Sequence, residues 1–317
     1  MAFNLATFKT RTLTAVVFVI VMVAGLLISQ WSFFLLFTII HFGCWWEYQK
    51  LVMLIDVDYT RISLFHKFGV MIFGWCIMLY FMKGSIFYGN EMAEIGKWLG
   101  LALFIGLLID AFVTKSKTKK FIGHSIFGLI YISLSLALFV KLPMLTGHQT
   151  GLIWDHFLPG NWFAHGWELP VFVIGCMWIN DTMAYIVGSL IGKRPLSKIS
   201  PKKTWEGTVG GIILCAVVAG LIGYYLVDGV SFNFYRAEGI NVELICWMLI
   251  AGVAAVAGTF GDLLESKLKR LAMVKDSGNI MPGHGGFLDR FDSLLLAGPV
   301  VAIILWLYLL YWVNAVS

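Results

Sequence analysis

Charge is scarce in this chain. Only 13% of its 317 residues are Asp, Glu, Lys or Arg, against 59% that are hydrophobic, and the mean hydropathy is +0.84. So little polar surface excludes a water-soluble globule. Cysteine is rarer still. Cys44, Cys76, Cys176, Cys215 and Cys246 all fall inside apolar stretches. Their spacing fits neither a zinc site nor a disulfide framework, so they read as small buried hydrophobes. There is no internal repeat. No small-x-small site closes the first apolar run, which continues through Trp31-Ser32-Phe33-Phe34, so a cleaved leader is not expected.

What is there comes in apolar blocks. About 20 mostly apolar residues cross the hydrocarbon core of a bilayer. Stretches of that kind lie near 13–30, 31–47, 68–82, 98–113, 121–142, 170–191, 208–227, 243–261 and 293–314. They predict an all-α, polytopic integral membrane protein of about nine transmembrane helices. A cytoplasmic N-terminus leaves only Lys83, Lys97, Lys141 and Arg236, of 23 cations, on the far side, as the positive-inside rule requires. The C-terminus then lies outside the cytoplasm. This topology, with attraction to anionic headgroups, accounts for the net charge of +5 and leaves no need for a nucleic-acid partner.

The blocks divide by character. Residues 1–143 read as an N-terminal transmembrane scaffold with little suited to chemistry. The segment 144–169 reads as an extracytoplasmic loop, its His148, His156 and His165 set among the interfacial anchors Trp154, Trp162 and Trp167. In 170–317 polar residues enter the apolar spans or crowd their cytoplasmic ends, which makes it the working half.

Asp262 ends the eighth span, while Asp289 and Asp292 stand at the start of the ninth. Three unpaired carboxylates near a low-dielectric boundary would repel one another. A hard divalent cation removes that repulsion, and Mg²⁺, with phosphate oxygens completing its shell, suits oxygen-only ligands. The plainer alternative pairs these aspartates with Arg290, Lys269 and Arg270. Between the spans, Pro282-Gly283-His284-Gly285-Gly286 leaves backbone N–H groups unshielded. Such a turn can hold anionic oxygens or be a turn and nothing more. His284 reads equally as a phosphate contact and as a structural hydrogen bond.

A second constellation surrounds the sixth span. Asn180-Asp181-Thr182 lies mid-helix, where polar groups are expensive and point to function, and Tyr185 shares the face of Asp181. The following loop, from Gly192 to Gly207, carries Lys193, Arg194, Lys198, Lys202 and Lys203. Ordinary cytoplasmic charge explains part of it. Ser200-Pro201-Lys202-Lys203-Thr204 followed by Trp205-Glu206-Gly207 reads as an ordered loop, with Lys202 and Lys203 set to bind phosphate.

Taken together, Ser266, Lys269-Arg270, Lys275-Asp276, Gly278, Pro282, His284-Gly285-Gly286, Asp289-Arg290 and Asp292 resemble the signature of phosphatidate cytidylyltransferases, also called CDP-diacylglycerol synthases. The stretch Asp181-Thr182-Met183-Ala184-Tyr185 and the Ser200-Pro201-Lys202-Lys203 loop look like that family's upstream elements. Close resemblance covers about 175–300. Met281 departs from the usual Leu, Ile or Phe but keeps an apolar side chain. The resemblance implies a polytopic membrane enzyme that condenses CTP with phosphatidate; the charge topology puts its site on the cytoplasmic face, and the lack of a recognisable cleavable leader fits a bacterial inner membrane. It also implies Mg²⁺ dependence, with one or two metal ions, and homodimers. On this resemblance Asp262, Asp289 and Asp292 are expected to hold metal. Asp289, Asp292, Asp276, His284 and Lys275 are expected to serve catalysis. Ser200, Lys202, Lys203, Asp181, Ser266, Lys269, Arg270, Gly285, Gly286 and Arg290 are expected to bind substrate. Two other readings compete: a CTP-dependent enzyme acting on another lipid, and an anion transporter with Asp181 and the basic loops lining its path.

Overall fold

The computed structural model describes residues 5–83, 89–113, 120–145, 167–226, 241–280 and 285–316. His284, Pro282, Gly283, Met281, most of the 144–169 loop and its three histidines lie outside the described residues. Within them the chain is helical and forms no strand, as the apolar blocks predict. The helices are α1 (Leu5–Leu27), α2 (Gln30–Ile55), α3 (Leu64–Phe81), α4 (Gly89–Val113), α5 (Lys120–Gly128), α6 (Ser135–Lys141), α7 (Glu168–Ile191), α8 (Trp205–Leu226), α9 (Val242–Leu271), α10 (Leu288–Phe291) and α11 (Leu294–Val316). A six-residue π-helical stretch, Leu129–Leu134, joins α5 to α6.

Among the described residues, seven helical segments are long and apolar enough to cross a membrane. The two other stretches expected from the sequence, near 13–30 and 31–47, fall on α1 and α2 and are not among these seven. The apolar part of α1, Thr12–Leu27, is short. In α2 the residues His41, Glu47 and Gln49 interrupt the apolar run, and all three are buried. Large side chains such as Leu13, Phe112, Leu190 and Tyr311 are exposed, which suits faces turned to lipid, where backbone polar groups are satisfied within each helix.

Two compact units divide the chain: 1–140 with 267–292, and 141–266 with 293–317. The segment 267–292, rich in the signature residues, thus belongs with the N-terminal helices. In the first unit α2 forms the core through the fully buried Phe37, Ile40, Trp45 and Tyr48. Its polar side chains find partners. Trp45 Nε1 donates to Ser133 Oγ at 2.8 Å, and His41 Nε2 lies 3.0 Å from the same hydroxyl. Nearby, Ser63 caps α3 and donates to Asp110, while His66 lies between Asp110 and Ser125 at 3.2 and 2.9 Å. Buried polar groups without such partners would be strongly destabilising.

In the second unit α7 and α8 pack almost backbone to backbone. A methyl group at Gly207 would stand 2.8 Å from both the Ala184 carbonyl oxygen and Gly188 Cα, and one at Gly211 would meet Ala184 at 2.7 Å. Glycine is required here for close approach. Gly211→Val is therefore expected to destabilise the protein by roughly 1–3 kcal/mol, read as a lower melting temperature in detergent than that of an outward-facing control such as Ile213→Val.

Candidate active site

The segment between α9 and α11 wraps around one carboxylate. Val274 N–H donates to the Lys269 carbonyl as α9 ends, with Met273 in the left-handed region at φ 59°. The chain then turns back so that Ser277 and Gly286 both reach Asp289. Asp289 Oδ2 accepts from the N–H groups of Ser277 and Gly286, each at 2.9 Å, and Oδ1 accepts from Lys269 Nζ at 2.6 Å. These are charge-assisted contacts, stronger than neutral ones. Gly285 holds φ +84°, a conformation side chains disfavour, and a methyl group there would stand 2.5 Å from Asp289 Oδ2. The Gly285-Gly286 pair expected to cradle substrate therefore folds closely about Asp289.

A side chain that sequence reasoning missed completes this loop. Glu47 of α2 is buried. Its carboxylate accepts from Phe287 N–H at 3.0 Å and Leu288 N–H at 2.8 Å. Ser277 Oγ lies 2.7 Å from Glu47 Oε2 and 2.9 Å from Asp289 Oδ2, so its one hydroxyl hydrogen is shared between two carboxylates. The signal was available. An acidic residue inside an apolar stretch points to function at position 47 as it does at Asp181.

The remaining signature residues take varied positions. Lys275, Asp276 and Arg290 are exposed. Arg270 donates from Nη1 to the Val274 carbonyl at 3.1 Å. Asp292 is buried at the end of α10, where its N–H donates to the Leu288 carbonyl at 3.0 Å.

The second unit holds its own polar station. The loop after α7 is ordered, as its composition predicts. Leu196 N–H donates to the Lys203 carbonyl at 2.7 Å and Trp205 N–H to the Arg194 carbonyl at 2.9 Å. Glu206 Oε2 gathers the N–H groups of Lys193 and Arg194 at 3.1 and 3.2 Å. Ser200 N–H donates to Ser197 Oγ at 3.1 Å. This frame delivers the Lys203 ammonium to Asp262 on α9, where the two form an ion pair, while Lys202 is exposed. Asp181 is exposed on α7, one turn before Tyr185, and Ser266 is buried in α9. Of the cations that the plainer alternative named, Lys269 pairs with Asp289, whereas Asp262 pairs with Lys203, which that reading did not include.

Among the described residues of the second unit, Asp262 and Glu265 on α9 are acidic groups that could contribute to holding a metal ion. Glu265 was not anticipated. It is fully buried three residues beyond Asp262, on the same face of α9. All the donors are carboxylate oxygens, which fits a hard cation and not a soft one.

A helical membrane protein whose loops bring lysines, carboxylates and glycine-bared amides together is built as an enzyme for phosphate chemistry. Residues 9–308 match the model of the cytidylyltransferase family. The chain is 31% identical over 299 residues to the phosphatidate cytidylyltransferase of Haemophilus influenzae, covering 92% of this chain and 96% of that one. It is 33% identical over 239 residues to the enzyme of that name from Bacillus subtilis, covering 74% and 78%. A third relative of that name, from Synechocystis sp., is 34% identical over 199 residues, covering 60% and 64%. The chain belongs to the cytidylyltransferase family and is a nucleotidyltransferase.

Proposed function

We propose that this protein condenses CTP with phosphatidate, giving CDP-diacylglycerol and pyrophosphate. The observation that carries the reading, beside family membership, is the signature loop folded around Asp289, with Lys269 fixed on one oxygen and backbone amides on the other.

The chemistry asks for little proton transfer. The phosphatidate phosphate is an anion at neutral pH and attacks the α-phosphorus of CTP directly; the bond from that phosphorus to the β-phosphate bridging oxygen breaks, and pyrophosphate leaves. The protein must align two anions and offset the charge that builds between them. Asp262, Asp289 and Asp292 are proposed as the carboxylates for a divalent cation, Mg²⁺ by ligand type, with Glu265 supporting Asp262 on α9. When bound, such an ion screens phosphate charge and polarises the reacting phosphoryl group. Lys203 and Lys269 hold Asp262 and Asp289 in place from within each unit. The exposed Lys202, Lys275, Arg270 and Arg290 are proposed to bind the CTP phosphates and the departing pyrophosphate, joined by Ser200, Asp181 and Ser266 around the lipid headgroup. Asp276 and His284 are proposed beside the leaving group. The site is proposed to face the cytoplasm of a bacterial inner membrane, so that CTP arrives from water while the acyl chains stay in lipid, and the protein to act as a homodimer.

Purified protein given labelled CTP, Mg²⁺ and phosphatidate is expected to yield CDP-diacylglycerol and pyrophosphate, and to leave a phosphorylated isoprenoid unreacted. Product from the isoprenoid alone would assign a different lipid tail. Solute uptake into proteoliposomes without nucleotidyl transfer would overturn the enzyme reading.

A further inference from the structure

Glu47 lies in the half of the chain that composition marks as scaffold, and none of the reaction steps above calls on it. Yet it is among the most completely enclosed acidic groups in the protein, 1% exposed. Burying a carboxylate in an apolar helix is costly unless donors surround it. Among the described residues, the donors around Glu47 come from one segment. Phe287 N–H, Leu288 N–H and Ser277 Oγ all belong to the signature segment.

The surrounding residues are shaped for this carboxylate. Methyl groups added at Gly278 or Gly286 would collide with its oxygens, and one at Gly43, a turn earlier on α2, would stand 2.5 Å from the Phe287 ring. Thus Gly43 receives the Phe287 ring while Glu47 receives the adjacent amides, and Phe18 of α1 approaches Phe291 with ring centroids 6.0 Å apart. Ser277 links this station to the reactive one, since its hydroxyl touches Glu47 and its N–H and hydroxyl both reach Asp289.

We propose that Glu47 is a positioning residue for nucleotidyl transfer. It occupies the amides of Phe287 and Leu288 with a carboxylate of the protein itself. That closes those amides to substrate phosphate and, through Ser277, fixes the rotation of Asp289. A neutral polar group cannot replace it, because a glutamine amide offers one acceptor oxygen and turns an N–H toward donors. Aspartate keeps the charge but falls one methylene short.

The proposal rests on the activity assigned above, and its test separates the two. Glu47→Gln is expected to lower kcat on the order of 10- to 100-fold, as loss of a group that orients a metal ligand does, with KM for phosphatidate unchanged and the Mg²⁺ needed for half-activation raised. Glu47→Asp should recover part of the rate. Hydrogen exchange supplies a readout that needs no turnover: the amides of Phe287 and Leu288 should lose protection in Glu47→Gln while those of α3 keep theirs. Where Glu47→Gln lowers yield and melting temperature but the folded fraction turns over normally, Glu47 is only a packing element and the proposal fails. Retained protection at Phe287 and Leu288 would also overturn it. Loss of protection in a protein whose wild type makes no CDP-diacylglycerol would refute the assigned reaction and, with it, the catalytic half of this role.

Discussion

Replacing Asp289 by Asn is expected to lower turnover by at least about 10³-fold, in line with loss of a group that positions charge at a phosphoryl centre. The geometry explains why so small a change should matter. Both carboxylate oxygens are engaged: Oδ1 by Lys269, Oδ2 by Ser277 and Gly286. An asparagine amide has one oxygen and one NH₂ group. In either orientation it turns N–H toward a donor, the Lys269 ammonium or the two backbone amides. It also removes the negative charge that a cation would require. The fold should survive, because the Glu47 contacts to Phe287 and Leu288 do not involve Asp289. Initial rates with labelled CTP, beside a melting curve and gel filtration in detergent, read both halves of the expectation. A variant as fast as the wild type would place the chemistry elsewhere.

Lys203→Ala should be the next most damaging change, and more so than Lys202→Ala. The two lysines are neighbours in a loop of five cations, and composition alone treats them alike. The structure distinguishes them: Lys203 pairs with Asp262, and its carbonyl is held by Leu196 N–H, whereas Lys202 is exposed. Removing Lys203 leaves Asp262 without the group that orients it. A fall in kcat/KM for CTP on the order of 10- to 100-fold is expected. Lys202→Ala should mainly raise KM, since an exposed lysine near phosphate acts as a screened point charge. Steady-state kinetics with CTP and phosphatidate varied in turn make the comparison. Equal, small effects would reduce the Lys203–Asp262 pair to a surface tie.

Much of this architecture was legible in the residues. Long apolar runs give helices wherever backbone groups must be satisfied without water, and the Gly192–Gly207 loop declared its order through Pro, Thr and Glu at turn positions. Other features were hidden for identifiable reasons. Hydropathy locates apolar stretches but says nothing of the burial of polar side chains within them, such as His41, Glu47 and Gln49 of α2. The π-helical turn at Leu129–Leu134 has no periodic trace, because one extra residue per turn barely disturbs an apolar run. Asp289 was legible as an important carboxylate. Its engagement by Ser277 spans 12 residues and that serine's contact with Glu47 spans 230, and no local pattern encodes either. Glu265, fully buried on α9, lies one turn from Asp262 and was not singled out by the motif pattern.

The link from Glu47 to Leu288 joins positions 241 apart, and this separation has a consequence for how the molecule is made. Chains emerge from the ribosome N-terminus first, so the receptor on α2 is inserted long before the stretch that fills it exists. A polypeptide stopped before residue 277 therefore contains Glu47 without its donors, and is expected not to turn over nucleotide. On this proposal competence arises only after Leu288 has been translated and its amide reaches Glu47.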